Sequence, residues 1–287
     1  MFYIGISGWT YPGWRGVFYP DDLPQRLELE YASKELRSIE INGTHYGLQR
    51  PKSYLSWYER TPKGFRFSVK AHRYITHIKR LSDVEVPIAN FFASGVLALR
   101  EKLGPFLWQF PPSFKYDHKR MEDFFSLLPQ TTTAAARLAR KNDLGTKDRI
   151  WLKPGTHRKL QHCIEIRNPS FMLPEFFTQM RKYNVAFVFA DTAKRWPYAE
   201  DITGDFIYMR LHGDAKLYVN GYTETALKRW AKRMKSWSEG RQVTDAKTLT
   251  SRRLGSRKKK DVYVYFDNDS KVKAPRDAKR LRELLHS

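Results

Sequence analysis

Short apolar runs in which every second residue is polar constrain this chain most. They are Ile4–Ser7, Ser38–Asn42, Phe67–His72, Cys163–Arg167, Phe187–Asp191, Tyr208–His212 and Tyr263–Asp267. A period of two is that of a β-strand, whose successive side chains point to opposite faces. One parity is apolar: Ile39 and Ile41, Phe67 and Val69, Ile164 and Ile166, Ile207, Met209 and Leu211. The other parity carries seven charged residues, most at or near the end of a run: Glu40, Lys70, Glu165, Arg167, Asp191, Arg210 and Asp267. Ser7, Asn42, His72, Gln109 and His212 lie close to them in the same pattern.

Strand-like runs recur near residues 2–7, 37–42, 65–71, 105–110, 161–167, 185–191, 205–212 and 262–267. Helical patterns follow most of them, as at Pro51–Arg60, His118–Leu128, Leu173–Tyr183, Thr223–Trp237 and Pro275–Leu285, several opening on Pro or Thr. Eight strands alternating with helices predict an α/β chain folded as one (β/α)8 TIM barrel over residues 1–287. No glycine-rich GxGxxG turn follows a strand, which argues against a doubly wound dinucleotide-binding sheet. In a barrel the apolar parity faces the helices and the polar parity faces the axis. At the C-terminal ends of the strands that is where barrel enzymes place their sites.

The formal charge of +22 exceeds what solubility requires and points to polyanions such as nucleic acid. Much of it lies in two segments that read as basic insertions. Residues 131–160 hold eight Lys/Arg against two Asp/Glu, and residues 238–261 hold eight against three. The Ser251–Lys260 run reads equally as a nucleic-acid contact or a solvated loop. The single cysteine, Cys163, sits inside an apolar run and reads as a core residue, and one cysteine excludes an internal disulfide. No apolar run is long enough for a membrane span and the N-terminus lacks a signal-peptide pattern, so the expected location is cytoplasmic.

Eight segments in order resemble the YecE-like family: IGISGWTYPGW at the start, EINGTHY at 40–46, FRFSVKAHRYITH at 65–77, LWQFPPSF at 107–114, EIRNPSF at 165–171, FADT with the following Trp196, YMRLHG at 208–213 and VYVYFDND at 262–269. The resemblance runs nearly end to end. It implies a TIM barrel and no established activity, since the family is a domain of unknown function. The family is also similar to xylose-isomerase-like barrels that include apurinic-site endonucleases, an analogy of fold only.

The interior charges then suggest chemistry. Glu40 and Glu165 are general acid/base candidates, Lys70 is either a buried partner for Glu40 or an amine activated by desolvation, and Asp191 completes the catalytic set. Either glutamate reads equally as a counter-ion for the interleaved cations. Ser7, Trp9, Asn42, Tyr46, His72, Gln109, Arg167, Arg210, His212, Asp267 and Asn268 are the ligand-binding candidates. Arg167 and Arg210, with Lys70, suit phosphate or carboxylate. Trp9, Tyr11, Trp14, Tyr46, Tyr74, Trp196 and Tyr198 fall on loops at the same end, where aromatics either stack on bases or pack on one another. His45 and His77 read as loop staples. No metal ligand set and no cofactor are predicted, because cations interrupt the acids; a single Mg2+ or Mn2+ held by two carboxylates is the arrangement left open.

These residues lead to three expectations. The first is a protein that binds a phosphate-bearing ligand, foremost nucleic acid, at the C-terminal face, with phosphodiester or lesion-processing hydrolysis. The second is an enzyme acting on a phosphorylated sugar or other anionic metabolite. The third is a non-catalytic interaction protein.

Overall fold

The computed structural model describes residues 1–213, 221–250, 258–268 and 272–286. Eight parallel strands close a barrel in sequence order: β1 Phe2–Ser7, β2 Ser38–Ile41, β3 Arg66–Lys70, β4 Leu103–Gln109, β5 His162–Glu165, β6 Ala186–Asp191, β7 Phe206–Leu211 and β8 Asp261–Phe266, with β8 pairing back onto β1. The helices are α1 Glu28–Glu35, α2 Gly43–Tyr46, α3 Pro51–Glu59, α4 Glu85–Ala93, α5 His118–Leu127, α6 Thr132–Ala139, α7 Pro174–Lys182, α8 Glu224–Ser238 and α9 Lys273–His286. Their starts follow from local chemistry. Pro opens α3 and α7, where its missing N–H is no loss, and the side chains of Asp117, Thr131 and Thr223 accept the orphan N–H groups of α5, α6 and α8.

Strand alternation sorts the apolar residues into two cores. The outward parity, including Ile39, Phe67, Ile164 and Met209, packs with the helices in one large cluster. The inward parity forms a smaller cluster that fills the lower barrel, with Tyr3, Leu107, Cys163, Val188, Tyr208 and Tyr265. Tyr3 and Tyr263 stack at its base, ring centroids 4.7 Å apart. Gly5 is the inward residue of β1 at this level, and a Cβ there would lie 1.8 Å from the carbonyl oxygen of Ser38 on β2. The plug closes the N-terminal half, so the polar inward residues collect at the C-terminal end.

Strand and helix alternate around the barrel except at one place. Residues 192–205 join β6 to β7 without a helix. The segment after α8 covers that gap: Asp201 accepts the backbone N–H groups of Leu249 and Thr250, and Glu200 accepts that of Lys247. Both carboxylates are buried in a stretch whose Ala199 and Ile202 face the core. The first basic segment is also integrated into the fold. Ala135, Ala136 and Ala139 of α6 are buried, Lys141 reaches Glu85, Asp143 accepts from Asn90, and Arg158 donates to the carbonyl of Leu103 at the start of β4. This segment therefore lies along the outside of α4. Residues 251–257 of the Ser251–Lys260 run, and Asp269 of the VYVYFDND segment, lie outside the described residues. Among the described residues no helix is long and apolar enough to cross a membrane.

Candidate functional site

The register of the barrel brings the inward strand ends to one level. Ser7 aligns with Glu40, Gln109 with Glu165, and Ala190 with Arg210. At the centre is Arg210, buried and clasped by acids from three strands. Its Nε donates to Glu40 Oε2 at 3.1 Å and its Nη2 to Glu40 Oε1 at 2.9 Å. Nη1 donates to Glu165 Oε2 at 2.8 Å, and Nη2 also reaches Asp267 Oδ2 at 2.8 Å. Burying these charges is favourable only when nearly every lone pair and proton is matched, and the surrounding side chains do so. Ser7 and Tyr208 donate to Glu40 at 3.0 and 2.6 Å, while Gln109 and Arg167 donate to Glu165 at 2.8 and 2.9 Å. His212 accepts from Arg210 through Nε2 at 3.4 Å and holds Nδ1 3.1 Å from Asp267, which fits the tautomer protonated on Nδ1.

This clasp fixes protonation. Burial pushes the Glu165 carboxyl up, but Arg210 and Arg167 outweigh it and hold the group well below the usual range. Burial likewise acts against Asp267, whose pKa Arg210 and His212 bring down to about 2. Both are carboxylates throughout the neutral range. Arg210 is charged throughout, because its acids overcome its burial.

Lys70 is different. It is 7% exposed, yet no carboxylate oxygen lies within 4 Å of its ammonium and no side-chain hydrogen bond fixes it among the described residues. Burial, and after it the charge of Arg210, lowers its pKa to about 8 despite the pull of Glu40, Glu165 and Asp267. Of the two readings of Lys70, the close pair with Glu40 is not formed, since Arg210 occupies both oxygens of that carboxylate. Among the described residues, every other charge at the axis is matched directly.

The other candidates divide by where the strands and loops carry them. Arg167 lies at the mouth with its guanidinium 5.2 Å from the centre of the Trp196 ring, and Arg195 lies 5.0 Å from the same ring. Asn42 stands at the mouth with its side-chain oxygen buried and without a hydrogen bond among the described residues. His72 is half-buried, and its pKa lies below the usual value chiefly through burial. Asp191, expected on the axis-facing parity, instead shares the outward parity of Phe187 and Phe189, because Ala186, Val188 and Ala190 are the β6 residues that fill the barrel; it accepts from Tyr222 at 3.1 Å and is not part of the Arg210 clasp. Asn268 falls on the outward parity and donates to Asp277 of α9 at 2.9 Å, so it is not brought to the axis.

Among the loop aromatics, Tyr11 and Trp14 stack at 4.5 Å within a cluster that includes Phe18 and Tyr19, and Trp9 meets the edge of Trp57 at 5.4 Å. Tyr46 and Tyr74 remain open, 70% and 44% exposed. Tyr74 begins a five-residue π-helical turn, Tyr74–Ile78, an uncommon geometry. That turn carries His77, which stands 5.0 Å from His45 and whose pKa burial and the nearby Lys70 bring to about 4. His45 is stapled to the carbonyl of Ala71 at 2.9 Å and is neutral, its pKa lowered to about 3 by burial and Lys70. Tyr208 was not among the candidates although it shares their parity, because its phenol reads as core until Glu40 is placed above it.

Among the described residues no group of three or more His, Cys, Asp or Glu side chains is arranged to hold a metal ion. The three axial carboxylates converge on a guanidinium instead.

An eight-stranded parallel barrel with a charged cluster at its C-terminal mouth defines a TIM-barrel protein. Comparison with known proteins narrows the class: the chain belongs to the family described as "Protein of unknown function DUF72", whose model matches residues 3–287. It is 30% identical over 122 residues to the UPF0759 protein YunF of Bacillus subtilis, covering 40% of this chain and 41% of that relative. To the UPF0759 protein YecE of Escherichia coli K12 it is 28% identical over 114 residues, 40% of this chain and 39% of that one. The chain thus spans about two fifths of the length of the curated relatives it matches. Among solved structures, a DUF72 family protein of Thermotoga maritima superposes with a TM-score of 0.74 at 25% identity, over 100% of both chains. One from Enterococcus faecalis gives 0.71 at 18% identity, over 100% of this chain and 96% of its own, and supports the fold.

Proposed function

We propose that the barrel mouth binds a phosphate-bearing ligand, foremost nucleic acid, and acts on it by phosphodiester or lesion-processing hydrolysis. The observation that carries this reading is the Lys70 ammonium: nine-tenths buried, at the end of β3, and among the described residues without a direct partner in a cluster where the other charges are matched. A buried cation held in that condition is stabilised by an incoming anion, and a phosphate oxygen supplies both the charge and the acceptor. Arg167, with one nitrogen committed to Glu165, presents the rest of its fork to the mouth. Around it the rim offers the exposed cations Arg73 and Arg195 and the open rings of Tyr46 and Tyr74, the combination that follows a strand by charge and stacking.

A pKa of about 8 gives Lys70 a second use. It is protonated at neutral pH yet acidic enough to release its proton to a leaving oxygen, which Arg210 cannot do. Glu165 and Asp267 are fixed anions that orient the cations. His77, neutral and beside Lys70, is suited to accept a proton from an attacking water.

A phosphorylated small metabolite is the second reading, favoured because the unmatched charge at the axis is confined to one lysine. A gel assay separates the two. Labelled duplex DNA, intact or carrying one abasic site, is incubated at two salt concentrations with and without chelator. Salt-sensitive binding with cleavage at the lesion supports the first reading, and the chelator lanes report any metal requirement. Absence of binding to either DNA moves the assignment to the metabolite, tested by titration with ribose 5-phosphate.

A further inference from the structure

A cavity lies where β6 and β7 are joined without a helix. It has a volume of about 520 Å3 and lies beside the barrel, between residues 190–200, α8 and the segment around Lys247. That size is within the range of small-ligand sites and accommodates one mononucleotide. Its acids are already engaged. Glu200 accepts from Arg233 at 3.2 Å, from the Lys247 backbone at 2.9 Å and from Tyr198; Asp245 accepts from Arg233 at 2.7 Å; Asp191 accepts from Tyr222 at 3.1 Å. Its exposed cations are not. Lys194, Arg229 and Lys247 line the same space, and among the described residues none has a carboxylate oxygen within 4 Å.

The walls are flat as well as basic. The Arg229 guanidinium lies 4.9 Å from the centre of the Trp230 ring, and Trp230 is itself buried. Lys247 stands 5.9 Å from the ring of Tyr198. A guanidinium held against a buried indole offers a flat cationic surface of the kind on which a base stacks. Sugar phosphates have no use for such a plane, whereas a heterocyclic base does.

We propose that this cavity is a nucleotide-binding subsite, in which a base stacks on the Arg229 plane backed by Trp230 and its phosphate is held by Lys194 and Lys247. It is separate from the Lys70 site and does not rest on the function proposed for it.

Equilibrium dialysis of the full chain with radiolabelled AMP tests this, with adenosine and ribose 5-phosphate as competitors. Saturable AMP binding is expected, with each competitor at least about ten-fold weaker, because each keeps only half of the contacts. Arg229→Ala and Lys247→Ala should each weaken AMP at least about ten-fold. Both substituted residues are exposed, so an unchanged melting temperature shows that the variants fold. Competition by a short single-stranded DNA would show that the site takes a nucleotide unit of a strand; its absence would show that it takes free nucleotides. The proposal is overturned if AMP shows no saturable binding up to about 5 mM, if ribose 5-phosphate binds as well as AMP, or if neither substitution weakens it. Those outcomes leave the Lys70 assignment standing, since its own test uses DNA cleavage and the axial variants.

Discussion

Arg210 and Glu40 face each other across the barrel axis in a two-pronged contact, Nε to Oε2 at 3.1 Å and Nη2 to Oε1 at 2.9 Å, both side chains buried. The same guanidinium serves Glu165 and Asp267, so three carboxylates depend on one cation. Arg210→Met should destabilise the chain by about 3–5 kcal/mol, because it leaves buried anions uncompensated. For a chain this large, that is a fall in melting temperature on the order of 10 °C. Adding Glu40→Gln to Arg210→Met should recover part of the loss in calorimetry; a double variant as unstable as the sum of its parts would show that the two residues are not coupled.

Lys70 should give stability an alkaline signature. Its folded pKa of about 8 lies below the free-lysine value of about 10.4, so between these values the unfolded chain binds more protons than the folded one. Stability contributed by this residue therefore rises with pH across that window, and its cost is fully present below about pH 8. Denaturant titrations of wild type and Lys70→Met should diverge between pH 8 and 10 by an amount on the order of 2 kcal/mol, with wild type gaining. Affinity for a phosphate-bearing ligand should move the opposite way, falling as the ammonium is lost above about pH 8.

Asp267 supplies the acid counterpart. Its carboxylate is held at about 2 against about 3.9 for free Asp, so its stabilising contribution is present above pH 4 and is lost as pH falls toward 2. Asp267→Asn should flatten that part of the acid unfolding curve; an unaltered curve would mean that the clasp does not depend on this charge.

Gly5→Ala tests the closeness of β1 and β2. The added Cβ would lie 1.8 Å from the Ser38 carbonyl oxygen and 2.6 Å from its carbon, backbone atoms that cannot turn aside. A loss of about 3 kcal/mol or more, or failure to fold, is expected in expression and melting assays. Gly13, with nothing within 4 Å of its added Cβ, should tolerate the same change.

Period-two alternation made the barrel and the level of its charged residues legible, because parity and strand end together define a place. The strand around Glu40, expected at 37–42, runs Ser38–Ile41, and the helix expected at Pro51–Arg60 ends at Glu59. Parity does not say which charges touch. Lys70 and Arg210 carry the same sign on the same face, yet the planar fork reaches three acids while the ammonium reaches none, a difference of geometry that residue type alone does not encode. The absent helix after β6 and the cavity it leaves were illegible for a related reason: Lys194, Arg229 and Lys247 are far apart in the chain and meet only because residues 240–250 fold over the gap. Asn268 illustrates the converse, since it adjoins Asp267 in sequence but points to the other side of the strand end.

The loop aromatics separate into rings that pack and rings that are free to bind, and substitution should separate them in the same way. Trp14 is buried and stacked on Tyr11, so Trp14→Ala should cost about 3–5 kcal/mol of stability through the cavity it leaves. Tyr46 is 70% exposed and Tyr74 44%, so replacing either by Ala should change stability by no more than about 0.5 kcal/mol. If a strand crosses the mouth, each of these two substitutions removes a stacking surface and should weaken single-stranded DNA binding by about 1–3 kcal/mol. Fluorescence anisotropy with a labelled oligonucleotide measures this directly. Unchanged affinity in the Tyr46→Ala, Tyr74→Ala double variant would leave charge alone to hold the strand, and the binding would then show the steep salt dependence of a phosphate contact without a base platform.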